Sequence, residues 1–125
     1  MRRAHAVTGT LWLLVFVATG AYMRYFHAPA VEELNDLTRA LYRSRHIYLL
    51  GGAVANLALS ARDPISLVDR VISGLVLLAP FFLFAGFMLE PEGGLNSGHW
   101  AAFGEYCLFG AAALMVLRAW RGVKS

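Results

Sequence analysis

The residues of this chain that could do chemistry stand out because so much around them is apolar. They are one carboxylate, Glu105, a group of guanidinium side chains at Arg24, Arg43 and Arg45, and four histidines, His5, His27, His46 and His99. Glu105 lies six residues past His99 inside an apolar run, about 9 Å into the bilayer if that run is a membrane helix. An isolated charge at that depth costs several kcal/mol, so it either finds a partner or takes up a proton. Arg24, Arg43, Arg45 and His46 approach the same boundary, and Arg45 is the expected partner of Glu105 in a buried ion pair. Such a pair reads first as architecture or as an interaction point. The alternative is a proton pathway or small transporter around Glu105, Asn56 and Pro80.

Asn56 falls in the middle of an apolar run, and Arg45, Gly52, Asn56 and Ser60 share one helical face. An amide there seeks a hydrogen-bonding neighbour on another helix. Pro80, in the middle of the third run, frees the carbonyl of Val76 and is expected to kink that helix. His46 and His99 sit at matching depth on different runs, which is the arrangement that holds haem b between two imidazoles, so a haem- or metal-binding redox or sensor protein is the runner-up. Met23, His27, Met88 and Glu90 gather near the same rim as further metal ligands. No HxxxH spacing supports either. Neither a Walker loop, a nucleophile elbow, an HExxH motif nor a paired acidic site occurs, so no enzyme is expected. Cys107 is the one cysteine, which excludes a disulfide framework and a CxxCH haem attachment.

These residues must be positioned by apolar helices. Of 125 residues, 58% are hydrophobic and 15% charged, against about 25% charged in an ordinary soluble domain. The net charge of +3 forms no basic stripe with stacking aromatics, so nucleic acid is not an expected partner. The spacing predicts an all-α, antiparallel four-helix transmembrane bundle in one domain. Its spans are expected at about 5–25, 45–61, 66–89 and 98–119, with an amphipathic interfacial helix at about 30–43; no Gly or Pro separates it from the second span, so the two can form one long bent helix. The second run, Ile47 to Ala61, is short and needs flanking arginines that snorkel. Arg62-Asp63-Pro64 predicts an N-cap at Asp63 and a third helix starting at Pro64, and Asn96-Ser97 offers a cap for the fourth.

Seven basic residues, Arg2, Arg3, Arg62, Arg70, Arg118, Arg121 and Lys124, fall on one side of such a bundle and four, Arg24, Arg39, Arg43 and Arg45, on the other. That places both termini in the cytoplasm. Tyr22, Tyr25, Tyr42, Tyr48, Trp100 and Tyr106 form an aromatic belt at the outer boundary, and Trp120 is its inner counterpart. Glycines at 9, 20, 51, 52, 74, 104 and 110 permit close helix contact, which drives association where lipid removes any gain from apolar burial. The expected role is an accessory or scaffold subunit packed against a larger respiratory, photosynthetic or transport assembly in a bacterial inner membrane. Its expected partners are the lipid bilayer and other membrane subunits.

Overall fold

The computed structural model describes residues 1–26, 31–93 and 98–123, and among them every regular element is helical. α1 runs Arg2–Ala21 and ends in five residues of wider π-helix, Tyr22–Phe26. A 3-10 turn at Val31–Glu33 leads to α2, Asp36–Ser60. α3 spans Leu67–Leu89, a second 3-10 turn covers Pro91–Gly93, and α4 spans His99–Val123. Three segments are long and apolar enough to cross a membrane: Arg2–Phe26, Leu67–Leu89 and His99–Arg121.

α2 is the helix the sequence describes least well. From Asp36 onward the interfacial helix expected at 30–43 runs without a break into the span expected at 45–61, because nothing between Asp36 and Ser60 interrupts the hydrogen-bond ladder. It starts where the Asn35 side chain accepts from the Thr38 N–H at 2.9 Å. The start of α3 also differs from expectation. Pro64 and Ile65 stay outside the helix, and Ser66 caps it instead. The Ser66 hydroxyl accepts from the Asp69 N–H at 3.2 Å while Asp69 Oδ2 accepts from the Ser66 N–H at 2.9 Å, a reciprocal capping box. Asp63 is thereby free of the cap and pairs with Arg2 at 3.5 Å. The cap expected at Asn96-Ser97 lies outside the described residues.

The helices pack in chain order as a row, with α1 on α2, α2 on α3 and α3 on α4. The buried positions explain why. On α2 they include the series Thr38, Tyr42, Arg45, Leu49, Gly52 and Asn56, and on α3 the series Asp69, Ile72, Val76, Ala79, Leu83 and Gly86, with Ala53, Ser73, Pro80 and Phe87 buried beside them. Both series step alternately by three and four residues, the seam of left-handed helix packing. α1 reaches across the seam: Trp12 meets the ring of Phe81 edge-on at 5.0 Å and joins Tyr42, Leu49, Ala53, Leu83 and Phe87 in one buried cluster. Ile72, Val76 and Ala111 form a second cluster between α3 and α4.

Close contact is concentrated at particular glycines. A Cβ on Gly9 would lie 2.7 Å from Leu57 Cγ, one on Gly86 2.7 Å from the Ala101 backbone nitrogen, and one on Gly104 2.6 Å from Leu83 Cγ. Gly51 and Gly74, expected to do the same, face open space. Gly86→Val should therefore destabilise the fold by about 1–3 kcal/mol through overpacking. Gly51→Ala and Gly74→Ala should be neutral or stabilising, since alanine is the better helix former. Reversible unfolding in mixed micelles measures all three.

Candidate functional site

Two polar junctions are built into the apolar section, and α2 contributes to both. At the end of the bundle near the α3–α4 connection, Arg45 Nη2 lies 3.2 Å from Glu90 Oε2. Both side chains are buried, 5% and 3% exposed. Glu90 is the residue at which α3 ends, and its carboxylate turns back to the start of α4. Its two oxygens accept from the Trp100 N–H and, at 3.2 Å, from the Ala101 N–H. One carboxylate thus closes α3, caps α4 and neutralises a cation on α2. A carboxylate is favourable at this place because the first N–H groups of a helix have no helical acceptor and carry a partial positive charge.

This corrects the pairing expected from the sequence. Arg45 is buried in an ion pair, but its contact partner is Glu90 and not Glu105. Glu90 reads in the sequence as a loop charge beside Pro91, whereas the chain turns it inward over Gly86, where the missing side chain lets α4 come close. Glu105 sits one turn further along α4 than Ala101, half-buried, within electrostatic reach of Arg45 and Glu90. Among the described residues it makes no hydrogen bond or ion pair. Arg45 Nη1 is likewise buried without a hydrogen-bond partner. Arg43 is exposed, and Arg24 is exposed and pairs at 3.5 Å with Glu32. Tyr42, expected in the aromatic belt, is buried and donates from its hydroxyl to Glu92 at 3.4 Å.

The second junction joins three helices near the opposite end. Asn56 is fully buried, and its amide nitrogen donates to the Gly52 carbonyl at 2.9 Å and to the Val76 carbonyl at 2.8 Å. Val76 is the residue four before Pro80, whose ring has no N–H to give it. α2 thus supplies the hydrogen bond that α3 lacks. The proline ring itself rests on Gly52, where an added Cβ would come within 3.0 Å of it. With both amide hydrogens used, Asn56 Oδ1 is the acceptor for His5 Nδ1 at 2.8 Å, so Nδ1 carries a proton. His5 Nε2 is buried without a hydrogen-bond partner. Nothing in the sequence pairs His5 with Asn56; its position one turn before Gly9, where α1 and α2 touch, is the available signal.

His46 and His99, the expected haem ligands, keep separate company. The His46 ring stacks on Phe16 with centroids 4.0 Å apart, and its Nδ1 lies 3.0 Å from Thr19 Oγ1, so it is engaged with α1. Thr19 also donates to the Val15 and Phe16 carbonyls, 2.9 Å each. His99 is exposed in the first turn of α4. His27 lies outside the described residues. Among the described residues no three His, Cys, Asp or Glu side chains gather as a metal site would require. No protein-family model, no curated protein and no solved structure matches the chain.

The geometry supports two stability predictions. Glu90→Ala leaves a guanidinium buried without a counter-charge and should cost about 3–5 kcal/mol, whereas Arg45→Met combined with Glu90→Ala should cost less than the two single changes added together. A double-mutant cycle by equilibrium unfolding reads this coupling. Asn56→Leu should destabilise by about 1–3 kcal/mol by leaving buried carbonyls unpaired. The loss should shrink in a Pro80→Ala background, because the restored backbone N–H bonds Val76 itself. Equal losses in the two backgrounds would refute the bridging role of Asn56.

Proposed function

We propose that this chain is a small accessory or scaffold subunit that crosses the membrane four times and packs against a larger membrane assembly through α4. The observation that carries this reading is Glu105. It is a carboxylate at membrane depth, half-buried, with no hydrogen bond or ion pair among the described residues, at the edge of an uncovered helix face. Phe103, Tyr106 and Phe109 on that face are 59%, 71% and 69% exposed. A carboxylate left facing lipid is unfavourable, so a neighbouring subunit that supplies a hydrogen-bond donor or a cation to Glu105 completes the site. The other polar groups at this depth are engaged mainly with one another, which suits a load shared between helices better than a path for a substrate.

The fourth crossing is α2. Its 25 residues extend about 37 Å, enough for the hydrocarbon core. It is tied to α1 at every level, by His5–Asn56 near one end and Thr19–His46 near the other, with Arg2–Asp63 and Arg24–Glu32 beyond them. A helix that follows α1 at all depths crosses whatever α1 crosses. Because α1 and α3 cover it on two sides, Arg45 and Asn56 are buried against protein and not lipid. Seven Lys and Arg on the side of the termini against four on the other favour cytoplasmic termini. Helical spans with this charge bias suit a bacterial inner membrane.

Solubilisation of native membranes in mild detergent, followed by mass spectrometry, tests the reading. Another membrane protein should co-purify with the wild-type chain and be depleted with a folded Glu105→Leu variant. Recovery of the chain alone at every detergent strength would overturn the subunit role, and undiminished co-purification with Glu105→Leu would overturn the role of α4.

A further inference from the structure

The end of the bundle where α2 passes into α3 contains a hollow of about 740 Å³, within the size range of ligand sites. Its apolar lining includes Leu59 from α2, Ile72 from α3, and Met115 and Val116 from α4, each nearer the middle of its helix than the charged lining residues. Its mouth is charged, with Arg62, Asp63, Asp69 and Arg118. Both carboxylates are already engaged. Asp69 pairs with Arg118 and accepts from the Ile65 and Ser66 N–H groups at 3.1 Å and 2.9 Å, and Asp63 pairs with Arg2. Arg62 is exposed and has no carboxylate partner among the described residues.

We propose that this hollow is a binding site for one anionic phospholipid, with an acyl chain against the apolar walls and the phosphate on Arg62. The change from apolar depth to a cationic mouth follows the same gradient as the lipid, and it occurs where α2 ends at Ser60 and α3 begins at Leu67, the level expected of headgroups. A zwitterionic lipid would fill the same walls but bring its own cation to the arginine. An unbalanced guanidinium therefore selects the anionic headgroup by a charge-assisted hydrogen bond. The inference requires that the chain sits in a bilayer and does not depend on a partner subunit.

The test is native mass spectrometry of the whole purified chain in a neutral detergent, titrated with phosphatidylglycerol or phosphatidylcholine. One phosphatidylglycerol per chain should bind about tenfold more tightly than phosphatidylcholine, the worth of one charge-assisted contact. Arg62→Gln should abolish the preference. Ala119→Trp and Met115→Trp, which project bulk into the hollow from exposed positions of α4, should abolish retention of the lipid while the unfolding midpoint stays near that of the wild type. Arg43→Gln, at the far end of the bundle, should change nothing. Equal binding of the two lipids would overturn the proposal. So would loss of binding with Arg62→Gln but not with either tryptophan variant, which would indicate attraction to a basic surface without a site.

Discussion

A hydrogen-bonding or charged group buried away from water must find its partner within the protein, and the rest of this structure follows from how α2 meets that constraint. Arg45 is the strongest demand. It is met by Glu90, which can reach it because α3 ends there and because Gly86 admits α4 close by. The same carboxylate satisfies the otherwise unpaired N–H groups of Trp100 and Ala101. The junction therefore fixes α2, the end of α3 and the start of α4 against one another.

The opposite junction is the neutral counterpart. Pro80 interrupts the ladder of α3, and Asn56 repairs it from α2 while holding His5 of α1. Between the two junctions run the apolar seam of α2 and α3 and the cluster around Trp12. α1 and α4, at the ends of the row, keep wide uncovered faces of leucine, valine and aromatic side chains. This division, with polar groups on inner seams and apolar groups outside, accords with three helices long and apolar enough to cross a membrane. Glu105 is the exception on α4, and for that reason it carries the functional proposal.

Much of the helical framework was legible in the sequence because long uncharged runs have few alternatives. α2 was harder to read. Its arginines and Asn56 lower its hydropathy, and periodicity alone does not reveal that neighbours cover them. The burial of Arg45 was legible from its depth, but its partner was not. A carboxylate beside Pro91 looks like a loop residue until the close approach over Gly86 is known. The link between Asn56 and Pro80 was half legible: an amide needing acceptors and a carbonyl lacking a donor occur in one sequence, and only the register of α2 on α3 joins them. Ser66 rather than Asp63 caps α3 because Asp69 completes the capping box, a pairing that the Asp63-Pro64 signal obscured.

The account stands on α2 crossing the membrane as the covered helix. Single cysteines at Glu33, Asp63 and Glu92, in a Cys107→Ser background, can be labelled in intact cells and inverted vesicles with a membrane-impermeant maleimide. Glu33→Cys and Glu92→Cys should react from one side and Asp63→Cys from the other. Reaction of Glu33→Cys and Asp63→Cys from the same side would contradict the account, because α2 would then begin and end on one face of the bilayer.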